Sequence, residues 1–250
     1  MVERSVRVQA IVLSHNNYGE ADRYIKLLTA DRGKVSALAK GVRKMNSRKA
    51  GHLEPFTLVT AQLARGSGSS WIISQVSTLE SFPNLACDLE STCHAAYISE
   101  LTDRFANDEV MNRELYVLVI DSMRRLAKAE DRFPVLRYFD FRLLDIAGFR
   151  PQLHQCVQCG EPVLEQNQFF SSALGGIVCP KCSRPESGLT PISARTLKYF
   201  RFYQTQPFSK AAAAGWPAAL RPEAETILTS YLTWLLERKI NSQTFLNCIR

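Results

Sequence analysis

Four cysteines, Cys156, Cys159, Cys179 and Cys182, form two C-x-x-C pairs separated by nineteen residues, 160 to 178. Each pair puts two thiolates on one tight turn. A spacer of that length lets a short hairpin carry the second turn back to the first, so four sulfurs can surround one Zn²⁺ tetrahedrally. Gly160 relaxes the first knuckle and Pro180 stiffens the second. Four thiolates close the coordination sphere and leave no position for water or substrate, so one structural Zn is expected rather than a catalytic one. The plainer alternative is four reduced core cysteines. His154 is near enough in sequence to exchange as a ligand, but four thiols leave it no task.

A second pattern imitates chemistry. His52-Leu53-Glu54 spells the H-x-E of zinc nucleobase deaminases, whose other half is P-C-x-x-C. Here Gln155 and Val178 precede the two cysteine pairs, and a deaminase would leave one cysteine idle. Glu20, Asp22 and Arg23 are charged but have no base beside them except His15, so a turn-stabilising ion pair is the simpler reading. No P-loop and no G-x-G-x-x-G occurs, and no catalytic residue is assigned.

The other candidate site is electrostatic. The chain's net charge is +7, and residues 1 to 80 carry twelve Lys or Arg against six acids, so nearly all of the surplus lies in the first third. Between Asp31 and Glu54 there is no acid, while Arg32, Lys34, Lys40, Arg43, Lys44, Arg48 and Lys49 supply seven positive charges. Confined basic surplus of this kind suits a polyanion. Gly41 and Gly51 let the backbone bend, so Lys40 to Gly51 reads as a mobile basic loop able to contact phosphates. Arg23, Lys34, Lys40, Arg43, Lys44, Arg48 and Lys49 are the candidate DNA contacts. Tyr18, Tyr24, Phe56 and Trp71 are candidate stacking partners, with Tyr18 first because it lies in a turn beside Gly19. A solvated loop that binds nothing is the competing reading.

These residues need a scaffold. The stretches 6–13, 24–28, 34–39, 56–63 and 71–76 are strand-like and are divided by turn-rich segments at Asn16–Gly19, Asp31–Gly33 and Gly66–Ser70. Five short strands in that length suit an OB-type barrel, whose face and loops take single-stranded nucleic acid. After Pro83 the period becomes helical. Leu85, Leu89, Cys93, Tyr97, Leu101 and Phe105 mark one helix, Leu115 to Leu126 a second and Leu136 to Ile146 a third, which Gly148 ends. Ile192 to Tyr203 and Ile227 to Leu236 suggest two more, with 207–222 unassigned. The expected fold class is α+β: an N-terminal five-stranded OB-type β-barrel, 1–80, then an all-helical domain, 81–150 and 187–250, with an inserted four-cysteine zinc ribbon at 151–186.

Composition fits this plan. With 46% hydrophobic residues, 250 residues can bury a substantial core. There is no run of eighteen apolar residues, and Met1-Val2-Glu3-Arg4 leads directly into a strand, so a soluble, cytoplasmic protein without membrane partner is expected. Cys87, Cys93 and Cys248 form an odd, unpatterned remainder, which suits reduced thiols.

Tyr18-Gly19-Glu20-Ala21-Asp22-Arg23, followed by Leu27-Leu28-Thr29, Arg32-Gly33-Lys34 and Ala39-Lys40-Gly41-Val42-Arg43, closely resembles the N-terminal signature of the bacterial RecO recombination-mediator family. The order of barrel, helices and cysteines agrees over nearly the whole chain. The resemblance implies a non-enzymatic role in recombinational DNA repair, without a small-molecule substrate and associated with the nucleoid. It implies binding of single- and double-stranded DNA, annealing of complementary strands, and, with RecR, the loading of RecA onto strands coated by the single-stranded-DNA-binding protein SSB. An acidic SSB tail with an apolar end would need an apolar pocket beside arginines. Arg124, Arg125, Arg137 and Arg142, close to Leu136, Phe139 and Leu143, are the candidates, or else ordinary solvated helix faces. The alternative function is a zinc-ribbon adaptor that binds protein and not DNA.

Overall fold

The computed structural model describes residues 4–66, 70–184 and 188–249, with side chains as far as 245. Three residues of the expected 66–70 turn, the last two of the expected zinc segment and the Cys248 side chain lie outside the described residues. The chain divides into two compact units, Met1–Ala129 with Asn241–Arg250, and Glu130–Ile240.

In the first unit, strands β1 (Ser5–Tyr18), β2 (Asp22–Thr29), β3 (Gly33–Ala39), β4 (Leu58–Arg65) and β5 (Trp71–Glu80) close a barrel in the order β1-β2-β3-β5-β4. The alternation seen in the sequence sets the faces: Val6, Val8, Ala10 and Val12 point inward with Ile25, Leu27, Val35, Ala37, Val59, Ala61, Leu63 and Ile73. β1 runs five residues past the stretch expected, because its first half pairs with β4 and its second half with β2, across a register shift between Val12 and Ser14. The parallel closure of β3 on β5 is short, Ala37 to Trp71 and Leu38 to Ile72. Beyond it the segment after helix α1 (Leu89–Phe105) covers β3, with the Glu109 N–H on the Lys34 carbonyl at 2.9 Å. Gly33 permits that approach: its φ is +64°, and a Cβ there would lie 2.0 Å from the Val110 carbonyl oxygen.

Helix α1 begins at Asp88, whose carboxylate accepts the Ser91 N–H at 2.7 Å, and packs on β1, whose outward Ile11 and Leu13 are buried. Helix α2 (Arg113–Leu126) follows. The last helix of the chain (Asn241–Ile249), absent from the sequence reading, returns to α1, where Glu100 accepts the Asn241 and Ser242 N–H groups at 2.9 and 2.8 Å.

The second unit contains α3 (Phe133–Ile146), a small sheet of β6 (Gln168–Ser171), β7 (Gly176–Val178) and β8 (Thr190–Ile192) in the order β7-β6-β8, then α4 (Ala194–Thr205), α5 (Phe208–Ala214) and α6 (Arg221–Leu236). The unassigned 207–222 stretch thus holds α5 and a short 3-10 turn, Ala218–Leu220. An aromatic cluster joins these elements: Phe141 meets Phe200 edge-on at 5.1 Å, and Tyr199 and Tyr203 lie 4.8 and 5.2 Å from Trp216. The α+β class with an OB-type barrel followed by helices is as expected. No helix among the described residues is long and apolar enough to cross a membrane.

Candidate metal centre and nucleic-acid interface

The four cysteines converge. Their sulfurs all lie within 4.8 Å of one another, with Cys159 and Cys179 3.9 Å apart. A tetrahedron of Zn–S bonds of about 2.3 Å has edges of about 3.8 Å, so the donor set matches one zinc ion. The main chain builds it in steps. The first knuckle is closed by the Gly160 N–H on the Cys156 carbonyl at 2.8 Å, the second by the Cys182 N–H on the Cys179 carbonyl at 2.9 Å. The knuckles meet because the segment before Cys156 runs beside β7: the Gln152 N–H reaches Gly175, the Ile177 N–H reaches Gln152 and the Val157 N–H reaches Ile177, each at 2.9 Å. Gly176 makes room, since a Cβ there would meet the Gln152 carbonyl at 2.6 Å. From α4, Arg201 fixes the same segment through two N–H groups on the Leu153 carbonyl, at 2.9 and 2.8 Å.

Burial pushes the Cys156 thiol up, but N–H donors from Cys179, Cys159 and Gln158 outweigh it and hold it at about 6. Cys182 is pushed up to about 12 by contact with Cys179 and Cys159. Metal binding requires all four thiols as thiolates, so loading the cluster releases protons. His154 is exposed and outside the cluster. His52 is in the first unit, its Nδ1 2.7 Å from the Thr78 hydroxyl, while all four cysteines are in the second.

The basic residues separate into two groups. Arg23 donates to Asn17 and Glu54 at 3.1 Å, Lys34 reaches the Asp103 carbonyl at 2.6 Å and the Asp103 and Asp108 carboxylates at 3.3 and 3.4 Å, and Lys49 donates to the Ile73 carbonyl at 3.2 Å. Burial lowers the Lys49 pKa, partly offset by Asp22. Lys40, Arg43, Lys44 and Arg48 are exposed and, among the described residues, form no ion pair. Their loop is fastened at both ends by Val42 and Leu53, which are buried in the barrel core, and by the Gly41 N–H on Asp22 at 2.7 Å. Asp22 therefore orders the loop instead of pairing with Arg23, whose carboxylate partner is Glu54. Lys44, Arg48 and Lys49 with Asn46, Ser47 and Ser74 line a recess of about 330 Å³.

The Arg43 guanidinium reaches the Gly19 carbonyl at 3.3 Å, bringing this loop to the β1–β2 turn. There Tyr18 and Tyr24, 53% and 39% exposed, meet edge-on at 4.9 Å. Trp71 is 4% exposed, under the Arg65 guanidinium and bonded to Glu109, and belongs to the core; Phe56 is half-buried.

Two family profiles together cover nearly the whole chain. The profile described as Recombination protein O N terminal matches residues 1–82, and Recombination protein O C terminal matches residues 87–244. The chain belongs to the RecO family of DNA repair proteins. It is similar to proteins named DNA repair protein RecO: in Roseiflexus sp. strain RS-1, with 36% identity over 250 residues, 100% of this chain and 88% of the relative. In Anaeromyxobacter dehalogenans strain 2CP-C the identity is 35% over 243 residues, covering 97% and 96%. RecO membership gives the chain a role in DNA repair and recombination.

The four arginines considered for an SSB tail are divided between the two units. Arg124 and Arg125 are in the first unit, Arg137 and Arg142 in the second. Arg124 clasps Glu80 at 3.0 and 2.7 Å, and Arg125 lies 3.5 Å from Asp121. Arg142 donates to the Gln206 carbonyl at 3.0 Å. Arg137 is 1% exposed, paired with buried Asp140 at 3.1 Å, and offers a partner nothing. The i,i+3 spacing of Arg137 and Asp140 was the available sign of that pairing. The pattern of residues places Asp22 in a turn-stabilising ion pair, whereas it orders the basic loop, and it gives Arg201 no role. Arg201 carried no signal, being one of several basic residues of a helix.

Proposed function

We infer that this RecO-family chain is a non-enzymatic mediator that binds single- and double-stranded DNA through the barrel's basic loop and anneals complementary strands. The observation that carries the reading is the display of Lys40, Arg43, Lys44 and Arg48 on a fastened loop, exposed and without an ion pair among the described residues, beside the exposed Tyr18 and Tyr24. Annealing needs a surface that neutralises two phosphate backbones while leaving base edges unread, and flexible cations on a loop meet that need without base-specific geometry. The cysteine cluster holds one structural Zn²⁺ and takes no part in chemistry. Family membership supports RecR as partner, SSB-coated strands as substrate and RecA loading as outcome, in the bacterial cytoplasm at the nucleoid. Of the arginines weighed for the SSB tail, Arg124 and Arg125 keep the more exposed side chains and are the positions to reverse in a tail-peptide assay.

The test is an annealing assay with complementary labelled oligonucleotides. The native chain should accelerate pairing, and a variant carrying Lys40→Glu, Arg43→Glu, Lys44→Glu and Arg48→Glu should fall to the spontaneous rate. Equal rates in the two would overturn the reading and favour the adaptor.

A further inference from the structure

In OB barrels the face of strands 2 and 3 takes the oligonucleotide. Here part of that face is occupied from within. Lys26 and Lys34 point outward from β2 and β3, and both end on Asp103 of α1, at 2.6 Å for Lys26 and 3.3 Å for Lys34. Asp108 adds a further carboxylate 3.4 Å from Lys34. A phosphate approaching these lysines meets acids that already neutralise them.

The opposite side of the barrel is built differently. Arg7 on β1 pairs in register with Gln62 on β4, and Gln62 with Gln75 on β5, so three side chains form one cross-strand row. All three lie on the outward face, because Val6, Val8, Ala61, Leu63 and Ile73 take the inward positions. They share a concavity of about 280 Å³ with Thr60 and Ser77, which pair two rungs along on the same face. No acid lines it. The row also adjoins the basic loop. The pairing shifts between Gln62 and Leu63, which leaves Ser74 as an extra residue of β5, and Ser74 lines the recess shared with Lys44 and Arg48. Gln75 is its neighbour in the chain.

We propose that a single DNA strand held by the loop cations continues over Gln75 and Gln62 to Arg7, across the face formed by β5, β4 and β1. This rests on the loop being the DNA site and extends its footprint. The Gln75 amide donates to sugar oxygens without reading base edges or adding to the salt dependence, Gln62, whose Nε2 donates to the Ser5 hydroxyl at 2.6 Å, lines the path between, and Arg7 takes a phosphate at the far end. The strand spacing sets the length of this path at about 10 Å from β5 to β1.

The experiment is anisotropy with oligothymidylates of increasing length, on the native chain, on Arg7→Glu with Gln75→Glu, and on the loop variant. Short oligonucleotides filling only the loop should bind the native chain and the Arg7/Gln75 variant equally. Longer ones should lose about tenfold in the Arg7/Gln75 variant, and Arg7→Ala alone should lower the salt slope by about 0.7. Equal affinity of native and Arg7/Gln75 variant at every length, with loss in the loop variant, overturns the path while leaving the loop intact as the site. Failure of the native chain to bind any length overturns both. As an independent check, photocrosslinking of a halogenated oligonucleotide to the native chain should label the peptides containing Arg7 and Gln75; labelling confined to the loop contradicts the path.

Discussion

Lys26 and Lys34 on the strands and Lys40, Arg43, Lys44 and Arg48 on the loop are equally positive in the sequence, and the fold treats them oppositely. The strand lysines are absorbed by Asp103 and Asp108, carboxylates about seventy residues away in sequence, and serve to fasten α1 and the segment after it to the barrel. The loop cations Lys40, Arg43, Lys44 and Arg48 form no ion pair among the described residues, on a backbone pinned through Val42, Leu53 and Asp22. A charge surplus becomes a binding surface only where the backbone is ordered and the side chains are left unpaired. Lys34, counted among the DNA contacts from its neighbourhood in sequence, is spent on structure.

The largest expected effect tests whether the loop acts alone. Cys156→Ser, or chelation of the native chain, should melt the second unit at far lower temperature, since coordination free energy of about 10 kcal/mol in such segments is folding free energy. Metal analysis should give one zinc per native chain and less than one in the variant. If the comparison above is right, single-strand affinity of the Lys40–Arg48 loop should survive this loss; a parallel fall in affinity would break it.

Gly33→Val attacks the other side. A side chain at φ +64°, with backbone of Val110 in its way, should cost at least about 2 kcal/mol and undock the segment that neutralises Lys34. Thermal denaturation measures the cost, and hydrogen exchange should show loss of protection around Glu109. Unchanged stability would mean that the docked segment contributes nothing.

Tyr18→Ala should weaken single-strand binding by about 1–3 kcal/mol, read by titration at high salt where the phosphate contribution is reduced, and should leave duplex binding nearly unaltered. Equal losses for both substrates would deny a stacking role. Smallest is Lys34→Ala, expected to lower stability by about 1 kcal/mol in chemical denaturation through its partly buried ion pairs and to leave DNA affinity unchanged.

The parts visible in sequence were those with a local rule behind them. Alternating Val and Ala residues exposed the barrel strands, four-residue spacing exposed α1 to α3, and two C-x-x-C pairs exposed the cysteine cluster, because each pattern is dictated by the geometry of a single element. What stayed hidden depends on distant pairing. β1 continues through His15-Asn16-Asn17, polar residues that look like a turn, because β2 supplies their hydrogen bonds. The helix beginning at Asn241 is short and receives its N-terminal cap from Glu100, 141 residues earlier. Arg137 disappears into the core because Asp140 neutralises it there, and no charge count reveals burial.

The central claim, that the displayed loop cations and not the strand cations hold DNA, is tested most directly by anisotropy of a labelled single strand across a salt titration. The loop variant is compared with Lys26→Ala/Lys34→Ala. With a strand short enough to fill only the loop, the native chain should bind with a log–log salt slope of about −3, four phosphate contacts at about −0.7 each, and the strand variant should reproduce it. The loop variant should lose at least about a hundredfold in affinity and most of the slope. A native slope retained in the loop variant and lost in the strand variant would contradict the account.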